Sequence, residues 1–234
     1  IGKSIKIKDR VRSHIYEAKN NAREHRLMSQ VKVVKFNETA GELGALLLES
    51  NLIKKYQPLY NRRLKKIKSI FFLTLNKSEP TWSVEICSKS TSSFLPTAES
   101  FGIYKNKRQC VEFLINLSRE HQLCPIQLSL ESKRQVCFNY QLKRCLGVCC
   151  GSESSEIFNH RLSLALEEYQ PHIWPYEGVI AIIEPSRDGH KKDVHYIDRW
   201  RYQYTETLAP EDEVEFSRLT TKNGSFDRDV YNII

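Results

Sequence analysis

Apolar positions along this chain switch between two periods, and the switches mark its elements. Ile7, Val11 and Ile15 recur every four residues and predict an amphipathic helix within Ile1–Tyr16. A short basic helix is expected over Asn20–Gln30, then a strand at Val31–Phe36, where valine alternates with lysine. Thr39–Asn61 reads as the clearest helix. Thr39 followed three residues later by Glu42 makes a capping-box pattern, and Pro58 forbids continuation. At about 100° per residue, one face carries Ala45, Leu46, Leu52, Ile53 and Tyr56, with Glu49 in its middle. A lone carboxylate among leucines is costly unless it is paired, protonated or bound to a metal.

Further along, Ser69–Asn76 and Trp82–Cys87 predict strands joined by a turn containing Pro80, and Phe101–Tyr104 a third. Lys107–His121 and Ser155–Tyr169 return to helical period, through Val111, Leu114, Ile115 and Leu117 in one and Ile157, Leu162, Leu164 and Leu166 in the other. Trp174–Glu184 and Val194–Tyr204 predict two strands around the polar turn Ser186–Lys192, with Trp174, Trp200, Tyr202 and Tyr204 as core. The last stretch, Thr205–Ile234, is acidic and weakly patterned. The expected class is α+β, in three regions: 1–68, 69–154 and 155–234.

Charge divides along the same lines. Residues 1–68 hold 17 Lys and Arg against 6 Asp and Glu, residues 69–154 hold 10 against 7, and residues 155–234 hold 9 against 15. The basic first third points to a polyanion, most simply nucleic acid. No run of about 18 apolar residues exists, so no membrane-spanning helix is expected. No signal peptide is visible, and the expected location is the cytoplasm. The chain opens at Ile1 inside what reads as a strand-to-helix junction, so we expect a fragment whose true N-terminus lies upstream.

Candidate chemistry begins with Lys3, Arg10 and His14. Arg10 and His14 are four apart on one helical face, and Lys3 lies at the expected helix entrance, where backbone N–H groups favour an anion. The three could line one phosphate-sized site or form a solvated basic face. Gly2-Lys3-Ser4 is not read as a P-loop, because no Walker-B strand follows. Arg62, Arg63, Lys65, Lys66 and Lys68 put five cations in seven residues, suited to a phosphate backbone or a solvated linker. His121, His160, His172, His190 and His195 lack metal-ligand spacing and are assigned no role.

Seven cysteines are present, five of them within Cys124–Cys150. Cys87 and Cys110 fall in a strand and a helix and read as core. Cys124, Cys137, Cys145 and Cys149 are separated by 12, 7 and 3 residues. Without a secretion signal, a metal site is a better reading than a disulfide framework. The paired C-x2-C knuckles usual for zinc ribbons are missing. Four thiolates from a loop-rich segment suit an iron–sulfur cluster; a structural Zn²⁺ and buried free thiols are the alternatives.

Ile1-Gly2-Lys3-Ser4, Arg10-Val11, Ala45–Lys54 (ALLLESNLIK) and Pro58-x-Tyr60-Asn61 occur in an order that resembles the GIY-YIG nuclease domain of UvrC-type excinucleases, most of all the shorter Cho-type branch. The likeness extends to roughly Tyr169 through Ser100–His121 and Cys137–Gly151 (CFNYQLKRCLGVCCG). It implies a small antiparallel sheet flanked by helices and metal-dependent hydrolysis of a DNA phosphodiester. By that resemblance Gly2 is the glycine of the YIG half, Lys3 and Arg10 bind the phosphate, and His14 occupies a His-or-Tyr position. Glu49 is the single carboxylate for Mg²⁺ or Mn²⁺, and Asn61 closes the site. Cys124, Cys137, Cys145 and Cys149 would hold a [4Fe–4S] cluster, with Cys150 as an extra. The implied partner is damaged double-stranded DNA, including DNA loaded by UvrA and UvrB. Neither an RNase H-like carboxylate set nor tandem hairpin motifs are found, which favours one incision only.

The family's water-activating tyrosine belongs to the GIY half, which does not precede Gly2 here. The literal Gly102-Ile103-Tyr104 is a decoy, because it aligns with a downstream strand. The 234 residues alone are therefore expected to be inactive. A non-catalytic nucleic-acid-binding module on the same scaffold is the competing reading; retention of Lys3, Arg10, His14, Glu49 and Asn61 favours the enzyme.

Overall fold

Alternating and helical patterns resolve into two small antiparallel sheets and seven α-helices in a computed structural model, which describes residues 1–61, 67–132, 135–215 and 225–234. The class is α+β as expected. The chain divides into two compact units, one made of Ile1–Lys66 with Tyr176–Ile234 and the other of Ile67–Pro175.

In the first unit, α1 (Ile7–Glu17), α2 (Ala22–Met28) and α3 (Glu42–Tyr56) come from the basic third. Among the described residues this third forms no strand. Val31–Phe36, expected as one, runs without a ladder partner, and Val31, Val33, Val34 and Phe36 are exposed. Alternation makes a segment fit a pleated face, but a strand exists only where another backbone pairs with it.

The sheet of this unit comes from the C-terminal third: β4 (Val179–Pro185), β5 (Lys192–Asp198) and β6 (Arg201–Leu208), in the order β4-β5-β6. The single strand expected over Val194–Tyr204 is in fact two, folded back at Arg199 and Trp200. Both residues have left-handed backbones, φ 48° and 62°, the twist a tight hairpin requires. Neither is Gly or Asn, so the turn leaves no composition signal. Central β5 is buried on both faces from Asp193 to Asp198. The weakly patterned C-terminus contains α7 (Arg228–Ile233), whose Tyr231 packs edge-on to Trp200 at 4.9 Å.

α3 differs from its expected form at both ends. It starts at Glu42, with Gly41 rather than Thr39 at the N-cap, and Thr39 Oγ1 donates to the Gly41 carbonyl instead. It stops at Tyr56, with Gln57 left-handed and Pro58 beyond. Its most buried residues are Gly44, Leu47, Ser50 and Ile53; Tyr56, assigned by periodicity to the apolar face, is 63% exposed. The buried stripe thus lies beside Glu49 rather than around it.

The second unit is built on β1 (Ser69–Asn76), β2 (Ser83–Ser90) and β3 (Ser100–Tyr104), in the order β2-β1-β3. Gly102 is left-handed at φ 65°, and a side chain there would strike the Tyr104 ring. The Gly-Ile-Tyr triplet is therefore a bent strand of this sheet. Helix α4 (Lys107–Glu120), capped by Asn106, and helix α6 (Ser155–Glu167), capped by Ser154, bury Leu114, Leu117, Phe158 and Leu162 with Leu73 and Val84 of the sheet. Between them lie α5 (Phe138–Gln141) and one 3-10 turn, Val148–Cys150. No described helix is long and apolar enough to cross a membrane.

Leu47 is 1% exposed. Leu47→Ala should destabilise the first unit by about 2–5 kcal/mol, read as a lower denaturant midpoint with little change in slope.

Candidate functional site

The short segment Ile1-Gly2-Lys3 is held along α3 at three points. Asn61 grips Ile1: its Nδ2 donates to the Ile1 carbonyl at 2.8 Å, and the Ile1 amino group donates to its Oδ1 at 3.1 Å. Gly2 lies beside Glu49, since a Cβ on Gly2 would stand 3.9 Å from Glu49 Oε1. Lys3 Nζ meets Glu42 Oε1 at 2.5 Å. Glu42 and Glu49 are seven residues apart, about 10 Å along one face of the helix, so the segment and the helix run side by side. Of the residues assigned from sequence, Gly2 stands against Glu49, while Lys3 and Asn61 hold the same segment through Glu42 and Ile1.

Glu49 is half-buried and makes no hydrogen bond or ion pair among the described residues. A carboxylate on a half-buried helical face, approached by a residue without a side chain, is accessible to a cation, and its oxygens are unclaimed. It does not pair with Arg10. Lys3 is claimed, but by an exposed partner. The Lys3 hydrogen bond and charge hold Glu42 below the usual carboxylate range. Such surface pairs yield readily to a stronger anion.

Arg10 and His14 form a second cluster on α1. The helix begins at Ile7 with Lys6 at its N-cap, so Lys3 lies before it rather than at its entrance. The Arg10 side chain is exposed and unpartnered among the described residues. His14 Nδ1 meets Glu24 Oε2 of α2 at 2.8 Å, and Arg23 of α2 donates to the Tyr60 carbonyl at 2.6 Å, next to Asn61. Neither Arg10 nor His14 reaches Glu49 by a hydrogen bond or ion pair among the described residues. Arg62, Arg63, Lys65 and Lys66 lie outside the described residues; Lys68 is exposed.

The second unit holds a cysteine centre. The sulfurs of Cys124, Cys137, Cys145 and Cys149 lie within 4.8 Å of one another, three of these residues being buried. Cys124 follows α4 and Cys137 caps α5, its sulfur accepting the Tyr140 amide at 3.3 Å. Cys145 accepts the Gly147 amide at 3.3 Å, and Cys149 accepts that of Cys137 at 3.4 Å. Gly147 makes the turn possible: it is left-handed at φ 91°, and a side chain would strike Tyr140 and Ser152. Cys150, the extra cysteine, is exposed and outside the group.

Four converging sulfurs with three amide N–H groups aimed at them form a pocket for negative charge. Left as thiolates in an apolar core they would repel one another, and a cation or protons must balance them. The thiols already show the strain of sharing. A hydrogen bond from the Cys124 thiol pulls Cys145 down to about 6. That same bond, with burial, pushes Cys124 up. Burial pushes Cys137 up to about 12. The donor set fits a bound metal.

Metal uptake by metal-free protein at pH 7.5 should therefore release at least the protons of Cys124 and Cys137, and affinity should rise with pH. Calorimetric titration in buffers of different ionisation enthalpy measures that release. Cys145 is already ionised above about pH 6, so it adds little to the count.

One polar group was missed by sequence reasoning: half-buried Glu184 with buried Asp193 and His195, which meet the N-terminus of α3. The only available signal was period two, which sets Asp193 and His195 on the same face of a strand whose other face carries Val194 and Tyr196.

Three family models match consecutive parts of the chain: a UvrC-like GIY-YIG domain over residues 1–62, the UvrC/Cho excinuclease middle domain over 70–168, and the Excinuclease Cho C-terminal domain over 179–234. Excinuclease cho of Salmonella typhi is 35% identical over 236 residues, covering 100% of this chain and 76% of that protein. Excinuclease cho of Escherichia coli K12 is 34% identical with 75% of its length covered. The UvrABC system protein C of Legionella pneumophila strain Lens is 30% identical over 165 residues, 70% of this chain and 26% of that protein. No solved structure matches. With all three models in order and full-length identity of this level, the chain belongs to the Cho family of UvrC-related excinucleases.

Proposed function

We propose that this protein is a structure-specific DNA endonuclease of nucleotide excision repair, acting in the cytoplasm. It hydrolyses one phosphodiester near a lesion in double-stranded DNA, including DNA already loaded by UvrA and UvrB. The observation that carries this reading is Glu49: half-buried, unpaired among the described residues, and beside Gly2 in the segment that also bears Lys3.

Glu49 would hold a single Mg²⁺ or Mn²⁺, which supplies Lewis-acid stabilisation of the leaving oxygen. The remaining work falls to the chain. Arg10, with its guanidinium unpartnered among the described residues, offers two parallel donors to a phosphate. Lys3 exchanges the exposed Glu42 carboxylate for a phosphate oxygen, adding charge as negative charge develops. Asn61 fixes the Ile1 backbone, and with it the distance from Gly2 to Glu49. His14, tied to Glu24, lies one helical turn from Arg10 on α1, and the cations Arg62, Arg63, Lys65, Lys66 and Lys68 would contact the DNA backbone.

In the full-length protein Glu49→Gln should lower metal-dependent nicking about 100-fold or more and leave DNA affinity nearly unchanged. Nicking that survives the substitution would make Glu49 structural and leave a non-catalytic DNA-binding module as the better description.

For the cysteine centre we propose a [4Fe–4S] cluster on Cys124, Cys137, Cys145 and Cys149. A single Zn²⁺ is the second reading, favoured by the 4.8 Å limit on sulfur separation. That limit lies near the edge of about 3.8 Å expected for a tetrahedron with zinc–sulfur bonds of about 2.3 Å. Anaerobically purified protein should be brown, with iron and acid-labile sulfide; a colourless protein carrying one zinc would decide for the second reading.

A further inference from the structure

Both ends of α3, the helix bearing Glu49, are held by side chains from the last sixty residues of the chain. At the N-terminus, the Glu184 carboxylate accepts the Leu43 and Gly44 amides at 2.9 and 2.8 Å. Asp193 accepts the Ala40 amide at 2.7 Å and, on its other oxygen, the Thr207 hydroxyl at 2.7 Å. His195, fully buried, stands behind them, with Nε2 3.3 Å from Glu184 and Nδ1 2.8 Å from Thr205. Near the C-terminus, Lys54 lies 2.6 Å from Asp227 and 3.0 Å from Asp229, and also donates to buried Ser50 at 2.7 Å.

The approach is possible because α3 begins on glycines. A Cβ on Gly41 would overlap the Glu184 carboxylate, and one on Gly44 would come to 3.1 Å from Asp193 Oδ2 and 3.2 Å from His195 Cε1. The helix has no cap of its own: Gly41 offers no side chain, and Thr39 and Glu42 are engaged elsewhere. Without Glu184, two amides of the first turn lose their acceptor. That turn also carries Glu42, the anchor of Lys3, so its loosening would reach Gly2 and the position of Glu49 opposite it.

We propose that Glu184, Asp193 and the Asp227–Asp229 pair are positioning residues for the nuclease reaction. The C-terminal region is a clamp that sets the axial position of α3, and hence where the Glu49 carboxylate stands relative to Gly2 and the bound phosphate. This rests on Glu49 being the metal carboxylate.

The test compares Glu184→Ala, Glu184→Gln and Gly41→Ala in the full-length protein. Gly41→Ala keeps the acid and fills the space it occupies, so it stands in for Glu184→Ala if that variant fails to fold. Amide exchange at Leu43 and Gly44 should quicken roughly fivefold or more in both alanine variants. The Mg²⁺ concentration for half-maximal nicking should rise about tenfold, with KM for DNA unchanged. Glu184→Gln, which retains an acceptor, should recover most of both losses. Unaltered exchange and Mg²⁺ requirement would overturn the clamp. Faster exchange with an unaltered Mg²⁺ requirement would overturn its link to the reaction, as would a raised KM alone. Failure of the premise is seen separately, as nicking that survives Glu49→Gln while the α3 exchange change persists.

Discussion

An α-helix begins with backbone N–H groups that nothing inside it can satisfy. In this protein the start of α3 meets that requirement from outside. Glu184 supplies two acceptors, one to Leu43 and one to Gly44, and Asp193 supplies another to Ala40. Much of the first unit follows from that contact. The carboxylates can reach the amides only where the helix presents glycine, at Gly41 and Gly44. A charged acid drawn against a helix start is favoured by the helix dipole. Its own burial is offset by further bonds, from His195 to Glu184 and from Thr207 to Asp193. An acidic C-terminal third thereby folds with a basic N-terminal third into one compact unit.

Along the opposite flank of the same helix lies the segment Ile1-Gly2-Lys3, fastened by Asn61 and Glu42 on either side of Glu49. The fastenings differ in strength. Asn61 makes a two-way bond with the Ile1 backbone, whereas Lys3 and Glu42 form an exposed pair that solvent weakens. Lys3 can therefore leave Glu42 without disturbing the bond that Asn61 makes with Ile1. Glu49, with no partner among the described residues, is free for a ligand at no cost to the fold.

The second unit solves a different problem. Its core includes Cys124, Cys137 and Cys145 alongside Leu114, Leu117 and Phe158. Four sulfurs brought this close cannot all carry charge without a counter-ion. The result is the divergence of Cys145 from Cys124 and Cys137. Packing, backbone amide donors and left-handed Gly147 all converge on the same small volume. The hydrophobic core and the candidate metal centre are built from the same residues in this region.

The sequence by itself determined what depends on neighbours a few residues apart. Helical period marked α1, α4 and α6, cysteine spacing singled out the four sulfurs that converge, and the spaced motifs around Gly2, Glu49 and Asn61 identified the nuclease half. Tertiary structure alone decided what depends on partners far away in the chain. Val31–Phe36 has the alternation of a strand and forms none among the described residues, because pairing needs a second backbone. Thr39 and Glu42 have the spacing of a capping box, but Lys3 takes Glu42 and Glu184 does the capping from 141 residues away. Asp193 and His195 carry no motif, since their meaning lies in the glycines they approach. Local pattern specifies which face a residue can present; only the fold brings the opposing face to it.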